Sequence, residues 1–283
     1  MSDTRPFVFG LDLTYRSHGA LALAAWLRER LGPEDVEAVH VIPARDEATR
    51  DERQQRAGAV LTERLGAAGH AQTFSRVQIR EAADVVADLA HVECFGRALV
   101  LGRRARSGER ALVHLGPVAR KLLRLLPLPT IITPPELAPD RLGGPIVLAT
   151  DLAGHSERAA RFAVDLARAA GCELVLAHVA DVHYNESVEQ TDPAWNARLE
   201  QFRCEAAKDL DFWAEAHGLA GRRVARCGAA VEVLLDLADR ERASMLVLGS
   251  RRLSATERLF TTSTSSTVAA YASCPVAVVP PPL

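Results

Sequence analysis

The sequence predicts an α/β protein built from two open five-stranded parallel sheets with helices on both faces, a tandem repeat of one domain. Three observations predict it. Short apolar, β-branched runs alternate with longer helix-periodic segments, in the same order twice. The two series are divided by Thr133-Pro134-Pro135-Glu136-Leu137-Ala138-Pro139, a stiff stretch that interrupts regular structure. Finally, the letters of the two halves align. FVFGLDLTYRSHGALALAAWL lies over IVLATDLAGHSERAARFAVDL, which places Asp12 over Asp151. Ala38-Val39-His40-Val41 matches Leu176-Ala177-His178-Val179, and Leu99-Val100-Leu101-Gly102 matches Leu246-Val247-Leu248-Gly249. The domains are residues 1–138 and 144–283, with 133–143 as the linker.

In the first half, Phe7 to Leu11 is a strand followed by Asp12. A helical pattern from Ser17 runs through Ala20, Leu23, Ala24 and Leu27 and stops at Gly32-Pro33. Val36 to Ile42 is a strand, Asp46 to Gly69 a polar-faced helix, Thr73 to Ile79 a strand and Ala82 to Val92 a helix. Ala98 to Leu101 is a strand closed by Gly102, Val118 to Leu126 a helix and Pro129 to Ile132 the last strand. In the second half the strands are Ile146 to Thr150, Glu173 to Val179, Arg222 to Arg226, Met245 to Leu248 and Val276 to Val279. The helices between them are Glu157 to Ala170, Pro193 to His217, Ala230 to Arg242 and a segment after the hydroxyl cluster Thr261 to Thr267. Runs that are apolar throughout suit strands covered on both faces. Ser17 and Ser156 stand where each half's first helix starts and are expected to cap it.

Composition narrows the function. Of 283 residues, 48% are apolar and 25% charged, and the formal net charge is −2. That balance implies no broad basic surface, so nucleic acid is not an expected partner. The five cysteines are widely spaced with no C-x-x-C pair, which suggests neither a zinc ribbon nor a disulfide framework. The start MSDTRPFVFG lacks a secretory pattern, and no apolar run reaches the roughly 20 residues that span a bilayer. A cytoplasmic protein without membrane contact is expected. No G-x-x-x-x-G-K-[ST], G-x-G-x-x-G or G-x-S-x-G occurs. Asp151, His155 and Ser156 share one strand-to-helix turn, but three residues of one turn rarely converge on one substrate atom. His155, His178 and His183 near one strand edge read as hydrogen-bonded structural residues rather than metal ligands.

The Asp after the first strand, the V-H-V that ends the second, the Gly after the fourth and the CPVAVV ending together resemble the universal stress protein family, twice over in one chain. ATP-binding members carry G-x2-G-x9-G-[S/T] after the fourth strand. Those positions fall here on Gly249, Arg252, Thr262 and Ser263. The first Gly and the Ser are kept; the other two glycines are Arg and Thr. In the first half Gly102 is followed by Ala105, Gly116 lies one residue too far on, and Pro117 replaces the hydroxyl and removes an N–H. The nucleotide motif is thus degraded in both halves, the first more severely, and 1–138 reads as a degenerate domain.

The resemblance implies a cytoplasmic, non-enzymatic stress-response protein, a ligand sensor or interaction protein. Its ligand positions would be Asp151 beside a ribose, Val179 offering backbone groups to an adenine edge, and Gly249, Arg252, Thr262 and Ser263 at the phosphates. Arg251, with Arg252, adds charge for an anion. No catalytic residue and no metal ligand is implied. ATP or AMP is the expected cofactor if one is held, and a small anionic or nucleotide ligand and a protein client are the expected partners. The two halves would pack as an intramolecular pseudo-dimer, and a homodimer is the further arrangement. Two other readings stay open: an ATP/AMP-binding protein with weak ATPase activity through the second domain, and a ligand-free interaction scaffold.

Overall fold

Two stretches of chain, Met1–Leu142 and Gly143–Leu283, each gather about their own core in the computed structural model. The structure describes residues 4–12, 17–44, 49–103, 115–181, 193–251 and 263–281.

In the first unit the strands are β1 (Phe7–Gly10), β2 (Val36–Pro43), β3 (Arg76–Ala82), β4 (Ala98–Gly102) and β5 (Thr130–Thr133). All neighbours run parallel, in the order β3-β2-β1-β4-β5. The helices are α1 (His18–Arg30), α2 (Arg50–Ala67), α3 (Val85–Ala90) and α4 (Pro117–Leu125). Successive strands first step one way from β1 and then return to step the other way. Right-handed crossovers therefore put α1 and α2 on one face and α3 and α4 on the opposite face, and α3 does pack on α4. The sandwiched strands are dry: Phe7, Val8, Phe9, Val39, Leu99, Val100 and Ile131 are fully buried, as both-face cover demands.

The second unit repeats the order. Its strands are β6 (Ile146–Thr150), β7 (Leu174–Ala180), β8 (Arg222–Cys227), β9 (Met245–Gly249) and β10 (Val276–Val279). They pair in parallel as β8-β7-β6-β9-β10. The helices are α5 (Glu157–Ala170), α6 (Pro193–Ala216), α7 (Ala230–Arg240) and α8 (Thr264–Tyr271). Trp213 of α6 is buried, whereas Phe202 on the same helix is half-exposed beneath Arg198.

Local side-chain chemistry moves three expected boundaries. β3 begins at Arg76 rather than Thr73, because Ser75 is tied to the Val36 carbonyl through its N–H at 2.9 Å and its hydroxyl at 3.0 Å. Thr73 instead closes a turn onto His70. α3 starts at Val85 rather than Ala82, because Asp84 accepts the N–H groups of Val86 and Ala87 as an N-cap. The connection 133–143 is not wholly irregular: Thr133 belongs to β5, Pro139–Gly143 form a 3-10 turn, and Leu137 and Leu142 are buried.

Candidate functional site

In open parallel sheets of this order, ligands sit outside the carboxyl ends of the strands where the order reverses. In the second unit that point lies between β6 and β9. The chain leaves β6 at Thr150, turns, and enters α5 through the short 3-10 turn Gly154–Ser156. The turn is tight. Leu152 has φ 64°, a left-handed conformation uncommon for a side chain of this size, and the Thr150 hydroxyl accepts its N–H at 2.9 Å.

Asp151 is the centre of this turn. Ser156 donates its hydroxyl to Oδ1 at 2.8 Å, and the Ala153 N–H reaches the same oxygen at 3.3 Å. Oδ2 receives the Arg251 guanidinium at 2.7 Å and faces His155 Nε2 at 2.9 Å. Partial burial pushes the carboxyl toward its neutral form. The hydrogen bonds from Arg251 and Ser156, the nearby His155 and the Ala153 N–H outweigh that and hold it below the ordinary carboxylate range. Gly249 ends β9 against the same turn. A Cβ there would lie 3.4 Å from Ser156 Cα and 3.5 Å from the His155 carbonyl oxygen.

The pKa direction makes a prediction. A carboxylate with a depressed native pKa stabilises the fold above its unfolded pKa of 3.8 and loses that contribution as pH falls through the lower native value. Wild type should therefore lose more stability than Asp151→Asn on acidification below about pH 4. Arg251 is 67% exposed, so solvent screens the pair and the difference will be small. Urea midpoints measured from neutrality downwards check it; parallel curves for the two proteins would contradict it.

The other sequence-predicted positions divide as follows. Val179 follows His178 on β7, half-exposed, and His178 pairs in register with Thr150, so Val179 stands beside the Asp151 turn. Ser263 is the N-cap residue of α8, but its hydroxyl caps no first-turn amide and instead shares a 2.7 Å bond with Ser265. Arg252 and Thr262, and also His183, lie outside the described residues. Arg251 pairs with a carboxylate 100 residues away, a partner that no local spacing encodes.

The expectation that Ser17 and Ser156 cap helices is corrected. Neither makes a side-chain cap. Each donates to an aspartate five residues earlier: Ser17 to Asp12 at 2.9 Å and Ser156 to Asp151 at 2.8 Å. A charged acceptor binds a hydroxyl more strongly than neutral partners do. The histidines repeat too. His40 Nδ1 meets the Leu11 carbonyl at 2.6 Å, and His178 Nδ1 meets that of Thr150 at 2.9 Å. Each ring thus ties the end of one strand to the residue before the aspartate. A nucleophilic triad would need a histidine between serine and aspartate; here Asp151 stands between Ser156 and His155.

A model of the universal stress protein family matches residues 144–280. Over 140 residues the chain is 36% identical to a Thermus aquaticus universal stress protein encoded in the QAH/OAS sulfhydrylase 3′ region, spanning 47% of this chain and 96% of that one. The chain belongs to the universal stress protein family. Its fold is similar to that of a universal stress protein from Archaeoglobus fulgidus DSM 4304, with a TM-score of 0.69 at 19% identity, covering 98% of this chain and 99% of the other.

Proposed function

We propose that the chain is a tandem of two universal stress domains, residues 1–138 and 144–283, acting in the cytoplasm as a non-enzymatic stress-response sensor of a small anionic ligand. The identical strand order of the two units and the repeated Asp–Ser and His–carbonyl pairs support the tandem reading. The observation that carries the ligand reading is the Asp151 turn: a carboxylate aligned by Ser156 at the switch point, with an exposed guanidinium across it. Exposed ion pairs of this kind are worth about 0–1 kcal/mol, so a ligand can exchange them cheaply. A ribose hydroxyl would take over Asp151, and Arg251, with Arg252, would turn to the phosphate. Val179 would supply backbone groups to the base, and Gly249, Thr262 and Ser263 would border the phosphates. An aspartate with a depressed pKa is a weak general base, which favours holding a ligand over turning it over.

Calorimetric titration of the full chain with AMP, ATP and adenosine tests this. AMP should bind, and more tightly than adenosine. Asp151→Asn should weaken AMP by about tenfold or more, the scale of losing one hydrogen bond to a charged group. Arg251→Ala should weaken AMP and leave adenosine unchanged. Should none of the three bind wild type, the ligand reading fails and a ligand-free interaction scaffold replaces it. Slow ATP hydrolysis lost in Asp151→Asn would instead favour the weak ATPase.

A further inference from the structure

Helix α4 of the first unit buries Ala119, Leu122 and Leu123 and turns a basic face outward. Arg120, Lys121, Arg124 and Leu125 are exposed, Leu125 to 60%. The helix holds no acidic residue. Arg120 and Arg124 are four residues apart, and Lys121 and Arg124 three, so the charges and Leu125 share one stripe about 7.5 Å long. Like charges at these spacings repel and destabilise a helix. Among the described residues no carboxylate pairs with the three cations. Arg120 donates to the Leu115 carbonyl at 3.4 Å, a neutral acceptor. Residues 104–114, which lead into the helix, hold three arginines and one glutamate, so by composition they add positive charge rather than balance it.

The fold does not call for these cations. Setting Pro127-Leu128-Pro129 over Ser273-Cys274-Pro275 puts Leu125 over Tyr271, and Arg120, Lys121 and Arg124 over Ser266, Thr267 and Ala270 of α8. Tyr271 is 40% exposed, so both units present a large side chain at this position. The sequence of α8 carries no charge. Arg124 in the last turn of α4 suits the helix dipole, but Arg120 and Lys121 stand earlier. The stripe has no aromatic side chain on which a nucleic-acid base could stack. Interfacial helices sink an apolar face into a membrane, whereas the apolar face of α4 is buried in the protein. Cations grouped about one leucine instead match carboxylates grouped about one apolar side chain. Arginine takes carboxylates through paired hydrogen bonds, and the approach of negative charge relieves the repulsion along the helix.

We infer that the outward face of α4 is a docking surface for a protein partner, which presents a short segment rich in Asp and Glu with an apolar residue among the carboxylates. It stands apart from the reading of Asp151, since every residue it uses lies in the first unit.

The experiment is methyl NMR of the full chain titrated with the end-blocked peptide Glu-Glu-Leu-Glu-Glu and with its counterpart Gln-Gln-Leu-Gln-Gln. The acidic peptide should shift the Leu125 methyl signals saturably, and added salt should weaken it. The glutamine peptide should leave them in place. Lys121→Gln and Arg124→Gln together should weaken the acidic peptide by about fivefold or more. Glutamine has nearly the helix propensity of lysine and arginine, so the helix is kept. Arg161→Gln removes an exposed cation of α5 in the second unit and should bind the peptide unchanged. The proposal is overturned if the acidic peptide gives no saturable shift, if the two peptides bind alike, or if the double variant binds as wild type does. It is overturned equally if phosphatidylserine vesicles or a single-stranded oligonucleotide move Leu125 at lower concentration than the peptide. The comparison of the two peptides on wild type decides the matter even if the variant folds poorly.

Discussion

If the side chains of Arg252 and Thr262 are what keep ATP out, the double substitution Arg252→Gly, Thr262→Gly should raise ATP affinity by more than about a hundredfold. On the proposed reading both positions border the phosphates, and a Cβ at each would hold the backbone away from them. Each recovered N–H contact to an anion is worth roughly 1.5–3 kcal/mol. Two of them, if additive, exceed a hundredfold in binding constant, although ordering a looser loop offsets part of that. The account proposed above instead gives Arg252 itself a share of the phosphate. Wild type would then already bind an anionic ligand, and Arg252→Gly alone would weaken it. Calorimetry on wild type, both single variants and the double variant separates the two. If none of the four binds a nucleotide or another phosphate-bearing ligand, both accounts fall.

Replacing Gly19 by Ala is expected to destabilise the protein by roughly 3 kcal/mol or more, at or beyond the upper end of the usual cost of overpacking. A Cβ at this position would lie 1.8 Å from the Pro134 carbonyl oxygen, 2.9 Å from its carbon and 3.2 Å from Leu137 Cβ. Two of these atoms are backbone, next to buried Thr133 and Leu137, and cannot rotate aside. Helix propensity alone would favour Ala here by about 1 kcal/mol, so propensity and packing predict opposite signs. Gly66, in α2, is the matched comparison: nothing lies within 4 Å of its added Cβ. Gly66→Ala should stabilise by about 0.4–1 kcal/mol. Urea midpoints for both variants read the contrast, and an unchanged midpoint for Gly19→Ala would refute the close approach.

The strands were legible in the sequence because both-face burial leaves an unbroken apolar signature. Ile146–Thr150 and Val276–Val279 each follow a proline that marks the start. Edge strands were less legible: β3 is only partly buried along its length, and a hydroxyl bond from Ser75 sets its start. At the site, Asp12 and Asp151 stand out as the residues after the first strand of each half, and register alone brings His40 and His178 beside them. The destinations of the hydroxyls were not legible. A serine ahead of a helix has two acceptable partners, an amide of the first turn or an acidic side chain. Only the backbone path through Leu152 and the Gly154–Ser156 turn selects the aspartate in the second unit. Arg251 was beyond reach for another reason, since its partner is distant along the chain.

The duplicated turn gives the molecule its own reference measurement. Asp12 and Asp151 do the same mechanical work, each receiving a serine hydroxyl five residues on, beside a strand end tied down by a histidine. Asp151 also receives the Arg251 guanidinium described above. Asp12→Asn therefore reports what it costs to loosen such a turn, and Asp151→Asn reports that cost together with whatever the carboxylate does for a ligand. The difference between the two, taken within one polypeptide under one set of conditions, isolates recognition from architecture.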